Sequence, residues 1–219
     1  MHVGRMIATL KQLDLYDDTI IVYTSDHGEF MGFHHLLLKG NYMYDALSKV
    51  PLLIKYPQQK FAGTVSSDLV NNVDLAPALL SQAGAPIPGT MSKVDLTPGA
   101  LAREVVFAEA ARGQQYMART RQHKLLLCRD PAHSQFFDLD RDPFETNNLI
   151  ADPSYQTHVD KLCRRLSDWI LFERAPPTHL DPDAPVTRAP NVPDRQDRHV
   201  QQGIDYFDAQ MSQPFEFTL

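Results

Sequence analysis

The chain has 219 residues, 43% of them hydrophobic, and a formal net charge of −6 at neutral pH. That length holds one large domain or two small ones, and the acidic balance argues against nucleic acid or an anionic membrane surface as a partner. No apolar run is long enough to span a bilayer, and two cysteines, Cys128 and Cys163, make no disulfide framework.

The first stretch carries Val3, Met6, Ile7, Leu10 and Leu13 at helical spacing. It predicts an amphipathic helix packed on a sheet and ending near Asp14 and Leu15. It lacks the continuous apolar core and small-residue cleavage site of a signal peptide, which favours a cytoplasmic location. Asp17 and Asp18 form a turn. Residues 19–24 (TIIVYT) are β-branched, aromatic and uncharged, as in a buried strand.

That strand ends abruptly in Ser25-Asp26-His27-Gly28. Gly28 lets the backbone pass where a side chain would clash. A carboxylate and an imidazole therefore sit together at the carboxyl end of a strand, the edge where open α/β sheets bind ligands. Both side chains are metal ligands. The same Asp-His-Gly also reads as a plain turn, with the aspartate capping the next segment. Lys39 follows twelve residues after His27, with His34 and His35 between. A cation beside a metal suits an anionic substrate. Taken singly, Lys39 is a solvated charge and the two histidines are ordinary surface residues.

Residues 41–48 suit a short helix, and residues 49–57 (KVPLLIKYP) a second buried strand bounded by Pro51 and Pro57. Asp74 is placed to cap a helix over residues 75–82, which Gly84 ends. Leu75, Leu79 and Ala83 share one face of it and suit the core. Residues 85–100 form a Pro- and Gly-rich loop. From Glu104 the pattern changes to successive strands over 104–110, 115–120, 124–129 and 136–139. The turn 140–143 follows, with Glu145 and Asn148 expected to tie it to the next helix. Val159, Leu162, Leu166, Trp169 and Ile170 mark that helix over residues 155–172. Residues 101–173 thus read as a small α+β unit, an antiparallel sheet with a helix across it. Residues 174–219 are rich in proline and poor in apolar residues, as in an extended tail. Its aromatic end, from Ile204 to Phe217, either clamps onto a domain or stays free.

LYDDTIIVYTSDHG followed by MGFHHLLLKGNYMYDALSKVPLLIKYP resembles the second half of a sulfatase. That family shows a strand ending in S-D-H/N-G, then a G-x-H-x-x-x-x-K-like segment, an aromatic-acidic pair and a V-P-L-I strand. The likeness continues through Tyr116-Met117-Ala118-Arg119-Thr120, Lys124, Phe137-Asp138-Leu139, Asp142-Pro143-Phe144-Glu145 and Asn148-Leu149, to about Glu173. It implies an α/β fold. Residues 1–100 would form the C-terminal part of an alkaline-phosphatase-like α/β/α sandwich. Residues 101–173 would be the family's antiparallel-sheet subdomain with its C-terminal helix, and residues 174–219 a tail. It implies a metal-dependent sulfuric ester hydrolase, with phosphonate monoester or phosphodiester hydrolysis as an alternative, and a small sulfate ester as substrate. Asp26 and His27 match the family's paired metal ligands, with calcium the first choice and magnesium or manganese alternatives. Lys39 matches the lysine that contacts the sulfate and bridges toward the leaving group. His34 aligns with the histidine of the family's G-D-H segment, where Phe33 replaces the acidic residue, which weakens a catalytic role for it.

Sulfate-ester hydrolysis needs a nucleophile, a divalent cation, cationic donors for developing charge and an acid for the leaving oxygen. The family's nucleophile lies in C-x-P-S-R, and no such motif occurs in the sequence. Cys128-Arg-Asp-Pro-Ala has its proline one position late and no Ser-Arg, and Cys163 is placed for packing. The aspartate pair that completes the family's metal site is also lacking. By resemblance the chain carries half an active site and is inactive alone, which leaves room for a non-catalytic remnant or a binding protein. The strands at 19–24 and 52–56 are apolar on both faces, as parallel strands buried between neighbours are. They are expected to leave an apolar edge that an N-terminal half or self-association covers.

Overall fold

The computed structural model describes residues 2–40, 42–110 and 114–173. The tail reading for residues 174–219, with its aromatic clamp, lies outside the described residues. Helix α1 (His2–Gln12) comes first. Strand β1 (Ile21–Thr24), helix α2 (Asp45–Ser48) and strand β2 (Leu52–Lys55) follow, then helix α3 (Leu75–Gln82). Four strands come next, β3 (Val106–Ala110), β4 (Gln115–Arg119), β5 (His123–Cys128) and β6 (Gln135–Asp138), and then helix α4 (Gln156–Asp168).

Strands β3 to β6 form a meander in which every neighbour is antiparallel. Adjacent residues of a strand point to opposite faces, and here both faces are apolar. Ala118, Leu125 and Phe136 lie on one face and pack against Val159, Leu162 and Leu166 of α4. Their neighbours Met117, Leu126 and Phe137 lie on the other, against Phe30, Met43, Tyr44 and Leu47. The sheet is therefore the middle of three layers. Each buried aromatic or leucine side chain contributes about 1.5–3 kcal/mol to holding them together. The second outer layer is the segment that follows β1, so the meander braces the Asp26–Lys39 region from below.

Strands β1 and β2 are one antiparallel pair, with Tyr23 opposite Leu53. This corrects the expectation of parallel strands. A return within some 27 residues that carries only one turn of helix suits antiparallel pairing, whereas a parallel pair needs a full crossover. One face packs near α3, where Val22, Ile54, Ala78 and Leu79 meet. The other face leaves Tyr23 52% and Leu53 59% exposed.

Three further expectations change. No residue of α1 is buried, so its apolar stripe does not pack on a sheet among the described residues. Helix α3 buries Pro77 and Ala78, and Leu79 is exposed. Its apolar residues run almost all round, so spacing alone does not fix the inward face. Asp74 does not cap α3. Its carboxylate accepts from the Asn71 N–H at 2.7 Å and pairs with Arg103 at 2.6 Å. Gly84, at φ +66°, ends the helix as expected.

Candidate functional site

Strand β1 delivers Ser25, Asp26 and His27 to the molecular surface, and a hydrogen-bonded turn fixes them there. The Ser25 hydroxyl donates to the His27 carbonyl at 2.6 Å, and Asn72 Nδ2 donates to the Ser25 carbonyl at 3.2 Å. The Gly28 N–H donates to the Leu47 carbonyl at 2.7 Å. A Cβ on Gly28 would stand 2.0 Å from the Ala46 carbonyl oxygen. Glycine is therefore required by close approach to α2, and the strand end is locked against that helix.

Asp26 is 85% exposed at its side chain, and its Oδ2 lies 3.6 Å from His27 Nε2. The His27 backbone N–H donates to Asp26 Oδ1 at 3.0 Å. That bond, then the positive charge of the His27 imidazole when it is protonated and more weakly that of Lys39, hold the Asp26 carboxyl below its usual range. It is a carboxylate at neutral pH. His27 Nδ1 is 2.7 Å from the Gly28 carbonyl. A carbonyl only accepts, so Nδ1 carries a proton, and in the neutral imidazole Nε2 keeps its lone pair. That lone pair faces Lys39 Nζ at 3.2 Å. Asp26, His27 and Lys39, twelve residues apart in sequence, thus form one cluster.

The donor set fits a divalent cation in part. A carboxylate oxygen and an imidazole nitrogen with its second nitrogen anchored to a carbonyl are the usual pattern for a ligating Asp-His pair. Their 3.6 Å separation is short enough for one cation to touch both. Among the described residues, however, no group of three or more His, Cys, Asp or Glu side chains gathers in a way that could hold a metal. Asp26 and His27 offer two donors, and a divalent cation would need others.

His34 does not join this cluster. It sits at φ +53°, its ring stacked on Tyr44 at 4.1 Å, and its Nε2 lies 3.0 Å from the Phe144 carbonyl. It ties the loop between β1 and α2 to the turn after β6. Cys128 Sγ lies against the His133 carbonyl and Gln115, and burial raises the Cys163 thiol above its ordinary pKa. Neither environment activates a thiolate.

Sequence reasoning missed the charge network beneath the site. Lys124 is fully buried. Its ammonium bonds Asp45, meets Glu145 Oε1 at 2.7 Å as an ion pair, and donates to the Met43 carbonyl at 3.0 Å. Arg119 holds the same Asp45 through both oxygens, at 3.2 and 3.0 Å. Glu145 Oε2 accepts the Asp45 N–H at 2.6 Å. So Glu145 ties its turn to α2 and β5, and not to α4 as expected. Asn148 instead accepts from the Phe136 N–H at 3.0 Å. The available signal was a lysine inside the apolar run of β5, which is buried only when paired.

A family model described as N-sulphoglucosamine sulphohydrolase, C-terminal, matches residues 32–171. The chain is 31% identical to the N-acetylglucosamine-6-O-sulfatase of Bacteroides thetaiotaomicron, over 76% of this chain and 33% of that protein. A structure solved in complex with its substrate D-glucosamine-2-N,6-O-disulfate superposes with a TM-score of 0.66 at 31% identity, covering 76% of this chain and 37% of that one. The phosphonate monoester hydrolase of Agrobacterium radiobacter superposes at 0.62 with 25% identity, covering 75% and 37%. The chain spans about a third of the length of the curated relatives it matches.

Proposed function

From the premise that the chain belongs to the sulfatase family of the alkaline phosphatase superfamily, in its N-sulphoglucosamine sulphohydrolase C-terminal branch, we propose that it supplies part of the active site of a metal-dependent sulfuric ester hydrolase. The observation that carries this reading is the Asp26–His27–Lys39 cluster, with His27 Nε2 left as a lone pair between a carboxylate and an ammonium.

Asp26 and His27 would hold the divalent cation, with calcium the first choice by family resemblance and magnesium or manganese as alternatives. When bound, such a cation supplies Lewis-acid polarisation of the sulfuryl oxygens. Lys39, 3.2 Å from His27, offers a fixed positive charge to the sulfate and to the leaving oxygen. The exposed setting of Asp26 admits a small sulfate ester, and a sulfated sugar is the favoured substrate class. The sequence holds no C-x-P-S-R nucleophile motif, so turnover requires a complementary polypeptide segment that brings the nucleophile and the remaining ligands. The likeness to a phosphonate monoester hydrolase supports a second reading, with a phosphonate or phosphate ester in the same position. It is carried by lower identity than the sulfatase reading.

A graft tests the proposal. Residues 19–173 replace the matching portion of the Bacteroides N-acetylglucosamine-6-O-sulfatase, and hydrolysis of sulfate and phosphonate esters is followed. Sulfate-ester turnover that falls by about two to three orders of magnitude in Asp26→Asn and in Lys39→Met is expected. A graft whose rate is unchanged by both substitutions would overturn the assignment.

A further inference from the structure

A second candidate site lies on the other side of the meander's helix layer. A cleft of about 640 Å³ opens between the segment before β3, the turn joining β4 to β5, and α4. It is lined by Arg103, Glu104, Arg121, His123, His158 and Lys161, among others. None of its lining residues belongs to the 25–39 segment, so it is not part of the Asp26 cluster.

Its charges are unequally committed. Arg103 is neutralised by Asp74 at 2.6 Å. Arg121 donates its Nε–H to the Ser67 carbonyl at 3.0 Å, but its terminal nitrogens reach Asp68 only at 3.9 Å and its side chain is 58% exposed. Lys161 has no hydrogen-bond or ion-pair partner among the described residues. His123 lies between the rings of Phe136 and His158, at 5.4 and 4.5 Å. Burial and the neighbouring imidazole hold it below the ordinary histidine range, so at neutral pH it offers an N–H donor rather than a charge. The chain as a whole is acidic. An anion is repelled by the general surface and is drawn to a local cluster in which Lys161 and the terminal nitrogens of Arg121 keep donors to spare. Glu104 sits among those donors and has no ion-pair partner among the described residues. A carboxylate there opposes a bare ion but accepts hydrogen bonds from hydroxyl groups.

We propose that this cleft binds a segment of anionic saccharide, its sulfate or carboxylate held by Lys161 and Arg121, its hydroxyls by Glu104 and the His123 and His158 imidazoles. The site is an anchoring site for a polymeric ligand, separate from the place where an ester would be cleaved. It stands independently of the role given to Asp26, because its test reads binding and not turnover.

The test is calorimetric titration of the full 219-residue chain with dextran sulfate octasaccharide. Neutral dextran of equal length, inorganic sulfate and a single-stranded DNA of matched charge serve as comparisons. Lys161→Glu, His158→Gln and Lys93→Glu are compared with the parent chain. Lys161 and His158 are exposed on α4, so their replacement leaves the core intact. Lys93 lies outside the cleft and makes the same charge change. Saccharide binding that weakens about tenfold or more in Lys161→Glu, weakens in His158→Gln and holds within about twofold in Lys93→Glu supports the proposal. Absence of binding, or equal loss in Lys161→Glu and Lys93→Glu, would overturn it. Neutral dextran, inorganic sulfate or DNA binding as tightly as the sulfated saccharide would overturn the ligand class.

Discussion

Two glycines show how much a single backbone position carries. Gly28 has the Ala46 carbonyl oxygen 2.0 Å from where a Cβ would stand, whereas Gly4 on α1 has nothing within 4 Å. Gly28→Ala must push β1 and α2 apart and is expected to cost about 1–3 kcal/mol. Gly4→Ala removes backbone freedom from a helix and is expected to stabilise by up to about 1 kcal/mol. Urea unfolding of both variants checks the pair, and equal midpoints would contradict the close-approach argument. Asp26, His27 and Lys39 were legible because a strand end and a short loop bring them together through local chain geometry. His34 was legible as a residue but not in its position. Its ring is placed by Tyr44 and by the carbonyl of Phe144, which lies 110 positions away. No local pattern encodes a contact of that separation.

Among the elements, the strand and helix types followed from periodicity, and the meander's order followed from its short turns. The partner of each charged side chain did not. Lys124 and Arg119 share the sheet face of Leu126 and Met117 and reach α2 through Asp45. Lys124→Met leaves the buried Glu145 without its ion-pair partner and Asp45 with Arg119 alone, and a loss of about 3–5 kcal/mol is expected by denaturant unfolding. Burial pushes the Asp45 carboxyl up, but the Arg119 hydrogen bond and the Lys124 charge and hydrogen bond outweigh it and hold it below 3.8. A depressed carboxyl stabilises the fold fully above its unfolded pKa and loses that contribution as pH falls through its folded value. Acid unfolding of the parent chain should therefore be steeper than that of Lys124→Met. Identical acid profiles would show that the network does not link α2 to the meander.

For the molecule as a whole, the β1–β2 pair is covered near α3 on one face and presents Tyr23 and Leu53 on the other. An exposed apolar sheet face, with two strand edges unpaired among the described residues, favours association. Light scattering of the 219-residue chain is expected to show self-association that Tyr23→Lys with Leu53→Lys suppresses. A monodisperse parent at the same concentration would contradict this. The same chain is expected to hydrolyse no aryl sulfate with calcium, magnesium or manganese, since the proposed site offers two donors and one ammonium and the sequence carries no C-x-P-S-R motif.

The central claim is that Asp26 and His27 are cation ligands, and manganese relaxation mapping tests it most directly. Substoichiometric Mn²⁺ is added to the ¹⁵N-labelled chain, and amide line broadening is followed in the parent and in Asp26→Asn. Broadening centred on residues 25–28, and removed by the substitution, is the result this account requires. Broadening centred instead on Asp17 and Asp18, or unchanged in Asp26→Asn, would mean that the strand end is only a turn.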